Sequence, residues 1–217
     1  MSLKKLTSAV IALLAAVLFC GTAHAGNIDA TNKYAWGTNI GWLNFNPTHG
    51  GGVSVYDDHL EGYVWNENIG WISLGTFTAG TAHTYANSAS AADYGVNNNG
   101  SGLLSGYGWS TNAGWVNFKP THGGVTIGAG GSFDGYAWAE NIGWIHFKNA
   151  APAYNVVMTC MPGDVNADGD IGLSDAVRVL RILTAADKDA LCQDADVNND
   201  GQIGIQEAVF ILKELAK

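Results

Sequence analysis

Charge is scarce in this chain, and positive charge scarcest of all. Only 13% of the 217 residues are charged, with 10 Lys and Arg against 19 Asp and Glu, a formal net charge of -9. Phosphate contacts need Lys and Arg, so nucleic acid is excluded as a partner class. Long apolar runs are missing beyond the first twenty or so residues, so no later segment is suited to cross a membrane as a helix. No Ser-His-Asp order, zinc motif or phosphate loop stands out, and nothing in the residue pattern asks for catalysis. Proline is rare at 4 residues, while glycine reaches 29. Aromatic residues make up 11%, too many for a disordered chain. Helical periodicity is absent between the N-terminal apolar run and Gly163, which points to β structure there.

The N-terminus sets the compartment. Lys4 and Lys5 precede an apolar run from Ala9 to Phe19, and Ala23-His24-Ala25 is an A-x-A cleavage pattern. Residues 1–25 read as a signal peptide, with the mature chain starting at Gly26. Cys20 follows Phe19, which is too bulky for the small residue that lipoprotein processing prefers. The expected location is extracellular or at the bacterial cell surface, an oxidising space with no membrane insertion after cleavage.

What is present is a tryptophan repeat. All eight tryptophans lie in four copies of Y-x-W-x-x-N-x-G-W, beginning at Tyr34, Tyr63, Tyr107 and Tyr136. Trp36 to Trp65 and Trp109 to Trp138 are both 29 residues apart, and Trp36 to Trp109 is 73, so the larger unit reads as a pair of copies. A second phrase, P-T-H-G-G, separates the copies of each pair and carries His49 and His122. The modules span about 34–75 and 107–148, with an Ala, Asn, Ser and Gly rich insertion at 76–106. Each copy predicts a hairpin: a strand Y-x-W, a turn whose Asn and Gly supply positive φ, and a strand W-I-x-F. The expected fold class is therefore mainly antiparallel β, built of tandem Trp-repeat hairpin modules. A sandwich, a small propeller-like array and a solenoid are all compatible with it.

Alternation assigns faces. Leu43 with Phe45, Ile72 with Leu74, Val116 with Phe118 and Ile145 with Phe147 share one face of their strands. Trp42, Trp71, Trp115 and Trp144 fall on the other, beside Asn44, Ser73, Asn117 and His146. Two readings follow. Either these rings stack on a glycan, or they pack on neighbouring aromatics as a ladder that holds the repeat together. His49 and His122 read as turn residues. Glu61, Glu67, Asp134 and Glu140 invite a glycosidase reading, yet Glu67 and Glu140 occupy matching turn positions where solvated charge is ordinary.

The last part of the chain repeats a different unit. D-V-N-A-D-G-D-I-G-L-S-D runs from Asp164 to Asp175, and D-V-N-N-D-G-Q-I-G-I-Q-E from Asp196 to Glu207. Each presents many oxygens in a short loop, as calcium requires. Side chains of Asp164, Asn166 and Asp168, and of Asp196, Asn198 and Asp200, would serve positions 1, 3 and 5. Gly169 and Gly201 would make the sharp turn, Asp170 and Gln202 would offer carbonyls, and Asp175 and Glu207 would close the shell. An apolar stripe follows each loop: Val177, Leu180, Ile182 and Leu183, then Val209, Ile211, Leu212 and Leu215. Each stripe is expected to be buried against the other helix. No entering helix is predicted before Asp164, where the segment is β-branched and proline-containing.

Two loop-helix units, each without an entering helix, resemble a dockerin domain, a small α domain with two calcium loops. The resemblance implies two Ca2+ ions and docking to a cohesin-like partner through Leu173, Ser174, Ile205 and Gln206, with Arg178, Arg181 and Lys213 nearby. The loop positions are not the Ser-Thr pair of the best-known cellulosomal dockerins. Cys160 and Cys192 each lie four residues before a loop, and they are expected to form a disulfide.

The expected organisation is a signal peptide at 1–25, a β domain at 26–150, a linker at 151–162 and the calcium domain at 163–217. The function expected is a secreted, non-enzymatic adhesion or scaffold protein docked through calcium. Its rivals are a carbohydrate-binding accessory of a polysaccharide-degrading system and a self-assembling fibre or surface-layer subunit. A small glycoside hydrolase is the weakest.

Overall fold

A computed structural model describes residues 28–88, 91–128, 130–166, 170–186 and 193–217. The expected signal peptide lies outside the described residues.

The four motif copies are four hairpins. They are β1 (Ile28–Gly37) with β2 (Gly41–Asn44), β4 (Leu60–Asn66) with β5 (Gly70–Ser73), β7 (Leu104–Ser110) with β8 (Gly114–Asn117), and β10 (Phe133–Ala139) with β11 (Gly143–His146). In each, the two tryptophans face one another across the ladder: Trp36↔Trp42, Trp65↔Trp71, Trp109↔Trp115 and Trp138↔Trp144. Neighbouring hairpins pair in turn, β2 with β4, β5 with β7 and β8 with β10, and β11 returns to β1 through Trp36↔His146. The sheet thus closes into an eight-stranded antiparallel barrel, which removes the edges that a sandwich or solenoid would leave. None of the three architectures compatible with the sequence is the one adopted.

A second tier sits on the first halves of the long strands. β3 (Val53–Val55) pairs with β4, β6 (Val96–Asn98) with β7, β9 (Gly124–Ile127) with β10, and β13 (Ala153–Met158) with β1. β12 (Lys148–Ala150) forms a short hairpin with β13. Two corrections follow. The unit is one hairpin taken four times rather than a pair taken twice. The pair-like spacing arises because P-T-H-G-G fills only the first and third spacers. The 76–106 segment is the second spacer, and its β6 matches β3 and β9. Residues 151–162, expected as a linker, supply the strand that joins the two ends of the tier.

The interior is built in layers of four, one residue per hairpin. Phe45, Leu74, Phe118 and Phe147 form one layer, and Leu43, Ile72, Val116 and Ile145 the next, all buried. Small residues Ala35, Gly108 and Ala137 stand beside them, where Val64 is the largest. At Gly108 a Cβ would lie 3.0 Å from the Ser73 carbonyl, so the neighbouring strand leaves little room for a side chain there.

The motif's invariant asparagine has a role other than the one expected. Positive φ is carried by Gly41, Gly70, Gly114 and Gly143 at +74° to +76°, not by the asparagines. Instead each asparagine donates its side-chain amide to a carbonyl in the preceding hairpin's turn. Asn39 reaches Ile142 at 3.1 Å, Asn68 reaches Ile40 at 2.9 Å, Asn112 reaches Ile69 at 3.0 Å and Asn141 reaches Ala113 at 3.2 Å. These four bonds run turn to turn around the barrel mouth. They satisfy carbonyls that the tight turns leave without a ladder partner.

Beyond the barrel lie α1 (Leu173–Leu183) and α2 (Ile205–Leu215), packed on each other around Val165, Ala176, Val179, Ala208 and Ile211.

Candidate metal centres and docking face

The two helices begin where the loops end, and one carboxylate does two tasks at each junction. Asp175 and Glu207 are fully buried. Each accepts the backbone N–H of the residue that starts its helix, Gly172 at 2.8 Å and Gly204 at 2.6 Å. Each also reaches back into its loop, Asp175 to the N–H of Asn166 at 3.0 Å and Glu207 to that of Val197 at 3.3 Å. The acid at position 12 therefore caps the helix and cinches the loop at once.

In the second loop Asp196 accepts N–H groups from Asn198, Asn199 and Gly201, the last at 2.7 Å. Partial desolvation pushes this carboxyl up, but the N–H groups of Gly201, Asn198, Asn199 and Asp200 outweigh it and hold it below its ordinary value. Asn198 donates to Asp200 at 2.8 Å, which brings positions 3 and 5 together. Gly201 turns the chain at φ +80°, a conformation that a side chain would strain. Among the described residues no three His, Cys, Asp or Glu side chains converge as a cage. The second loop's expected donors include the Asn198 amide and the Gln202 carbonyl. That all-oxygen set suits a hard cation such as calcium. In the first loop Asp164 and Asp175 are buried and Asn166 is half-buried, while Asp170 is exposed. Gly169 and Asp168 lie outside the described residues.

The helix faces overturn one expectation. Ala176, Val179, Ala208 and Ile211 are the buried positions, with Ile182 partly covered. Most of the predicted stripe points outward instead. Val177, Leu180 and Leu183 are 48–52% exposed, and Val209, Leu212 and Leu215 are 45–53% exposed. Leu173 and Ile205 begin the same two rows at 65% and 57%. The rows correspond residue for residue, each pair 32 positions apart. Ser174, Gln206, Arg181 and Lys213 are exposed on these helices. Arg178 is not. It is 8% exposed and turned onto the barrel, where it meets the Asp57 carboxylate at 3.4 Å and donates to the Gly100 carbonyl at 2.8 Å. It belongs to the contact between barrel and helices, not to the outer face.

Residues 162–216 match the dockerin type I domain. Such domains bind calcium and dock onto cohesin domains, and proteins that carry them are typically extracellular in bacteria. Calcium-dependent docking is thus the general role of this dockerin module. No curated protein and no solved structure matches the chain. Among the described residues no helix is long and apolar enough to cross a membrane.

The tryptophans are all on the barrel's outside. Ring centroids of Trp36 and Trp42, Trp65 and Trp71, and Trp109 and Trp115 are 4.6–4.8 Å apart. The aromatic ladder is therefore present. Yet Trp42, Trp71 and Trp115 remain 38–46% exposed, and Trp144 is half-buried. The ladder does not use up the rings.

The acidic residues scatter. Glu67 and Glu140 are exposed at hairpin turns, and Asp134 stands 3.9 Å from Lys148. Glu61 is buried and bonded to His59 at 3.0 Å. His59, fully buried, also bonds Asp58. Those two acids hold the early part of the 76–106 segment by accepting the N–H groups of Gly80 and His83. Neither His59 nor this clasp was singled out in the sequence, because its partners lie up to 25 residues apart. Cys160 packs partly buried against the barrel core, and Cys192 lies outside the described residues.

Proposed function

We propose that this is a secreted, non-enzymatic scaffold or adhesion protein whose dockerin module binds two calcium ions and docks onto a cohesin-like partner, presenting the tryptophan barrel. The observation that carries the reading is the pair of matched apolar rows, Leu173, Val177, Leu180 and Leu183 beside Ile205, Val209, Leu212 and Leu215. Eight exposed aliphatic residues on two short helices are apolar surface that a partner would cover. Ser174, Gln206, Arg181 and Lys213 rim it with polar groups.

The loops control that surface. Calcium supplies the positive charge that lets several loop oxygens converge. Asp164, Asn166, Asp168, the Asp170 carbonyl and Asp175 would hold one ion. Asp196, Asn198, Asp200, the Gln202 carbonyl and Glu207 would hold the other. Asp175 and Glu207 sit inside the first turns of α1 and α2, so fixing them fixes the helix starts and hence the spacing of the two rows. A Cys160–Cys192 disulfide would tie the two units together. Residues 1–25 would direct export and be removed from the mature chain.

The test is calorimetry on the chelator-stripped mature chain, residues 26–217. About two calcium ions per chain are expected to bind, as ligand count and loop number imply. Calcium-loaded protein is then titrated with type I cohesin domains. Leu180→Lys with Leu212→Lys should abolish cohesin binding while leaving calcium uptake unchanged. Absence of cohesin binding in calcium would sink the docking reading.

The self-assembly alternative has less support at the barrel, where every one of the eight strands is paired on both sides. The glycan-binding alternative gains one from tryptophan exposure.

A further inference from the structure

The four hairpins carry one motif, but what stands beside the second tryptophan differs in each. The P-T-H-G-G loops cover Trp71 and Trp144. A Cβ on Gly50 would lie 2.6 Å from the Trp71 ring, and one on Gly123 would lie 3.1 Å from the Trp144 ring. Those glycines let the loop backbone lie against the indole. Trp115 meets the edge of Tyr94 at 5.0 Å. At Trp42 the neighbour is the β12–β13 hairpin, which brings Tyr154 edge-on at 5.3 Å. Trp42 is left the most exposed tryptophan of the described barrel, at 46%.

A cleft opens there. Its volume is about 730 Å³, against about 300 Å³ beside Trp115 and 330 Å³ beside Trp144. The larger figure lies within the range of about 300–1,000 Å³ typical of small-ligand sites. Trp36 and Trp42 come from the first hairpin and Trp65 from the second, so the cleft straddles two repeats. Asn44, Glu67 and Asn68 line it with amide and carboxylate groups.

We infer that this cleft binds a neutral oligosaccharide, with Trp42 as its stacking platform. A pyranose presents an apolar C–H face and an edge of hydroxyls, and it needs an aromatic face flanked by hydrogen-bonding groups. The lining supplies both. An acidic glycan is disfavoured, because Glu67 is the one charged residue in the lining and the chain's net charge is -9. A quaternary ammonium ion also suits aromatic rings, but it cannot use the hydrogen-bonding capacity left to Asn44 and Asn68 after their bonds to the Asn46 N–H and the Ile40 carbonyl. Glu67 then acts as an acceptor for sugar hydroxyls rather than as a catalytic acid. The inference goes beyond the docking reading and does not depend on it.

The experiment is titration of the mature chain with cellohexaose, xylohexaose, mannohexaose and maltohexaose, followed by tryptophan fluorescence and calorimetry, with choline chloride alongside. At least one hexasaccharide should give saturable binding. Trp42→Ala should weaken it about tenfold or more, while Trp115→Ala changes it by less than about twofold. Glu67→Gln should weaken it about threefold through loss of a charged acceptor. Trp42→Phe keeps a ring and should fall between wild type and Trp42→Ala, which guards against a misfolded alanine variant. Chelation of calcium should leave the affinity unchanged, so loss of docking and loss of glycan binding are distinguishable. The inference is overturned if no hexasaccharide binds, if Trp42→Ala and Trp115→Ala lose affinity equally, or if choline binds in their place.

Discussion

In the barrel, Phe45, Phe118, Phe133 and Phe147 are at most 2% exposed; on the dockerin helices, Leu180 and Leu212 are more than half exposed. The barrel buries one side of every hairpin inside itself and closes its own edges. Among the described residues the module has a small core, Val165, Ala176, Val179, Ala195, Ala208 and Ile211 with four partly buried residues against it, and much of its other aliphatic surface faces out. Apolar area removed from water is the main favourable term in folding, at about 25 cal/mol per Å². A region that leaves its leucines exposed must draw stability from elsewhere. On the function proposed above, the source is ion binding in the loops, and the exposed rows remain available to a partner. The barrel would then be stable by itself and the module only with calcium.

The strongest way to break this contrast is to remove the loop acids. Asp164→Ala with Asp196→Ala should leave the helices protease-sensitive even in calcium, while the barrel yields a resistant fragment ending near Met158. A digestion pattern identical to wild type would refute the dependence, and digestion of the barrel at the same rate would erase the contrast. Next in size is Phe147→Ala in the barrel core. Truncating a fully buried phenylalanine should cost about 3–5 kcal/mol. Denaturant unfolding should show that loss in the barrel transition alone, with calcium uptake unchanged.

The contrast sharpens at the contact between the two regions. Arg178→Ala removes the buried guanidinium from Asp57 and the Gly100 carbonyl. The cost should be about 1–3 kcal/mol, as for a charged hydrogen bond lost in a buried place. Hydrogen exchange of α1 should accelerate while calcium stoichiometry holds. In the barrel mouth, Asn112→Ala removes the bond to the Ile69 carbonyl, and about 1 kcal/mol is expected by calorimetry.

The smallest effect concerns His146. Burial lowers its pKa from the ordinary 6.5, only partly opposed by Asp134. It stacks on Tyr136 at 4.2 Å and bonds the Tyr154 hydroxyl at 2.9 Å. A lowered folded-state value means the stabilisation is present above the unfolded pKa and fades as pH falls through the folded one. Barrel melting temperature should therefore drop slightly below about pH 6.5, and His146→Gln should flatten the trend.

Much of this was legible along the chain. The hairpins, their strand faces and the exposed side of Trp42 follow from period-2 alternation, which needs only neighbouring residues. Loop donors at fixed offsets are likewise local. The misread parts are those where a distant segment decides. Val177 and Leu180 form a helical stripe whose local pattern predicts burial, but α2 packs against Ala176 and Val179 instead. Arg178 looked like an outer charge until Asp57 and Gly100 arrived from the barrel. The asparagines of the turn motif looked like positive-φ residues, because the carbonyl each one serves belongs to another hairpin.

The sequence by itself determined four β hairpins, two oxygen-rich loops and two amphipathic helices, since each is specified by contacts within a few residues. Only tertiary structure decided that the hairpins close into a barrel, that residues 153–158 complete its second tier, and that Trp42 stands beside a larger cleft than Trp115 or Trp144 does. Those outcomes depend on which chain segment lies beside which, and a repeated motif leaves that neighbour unspecified.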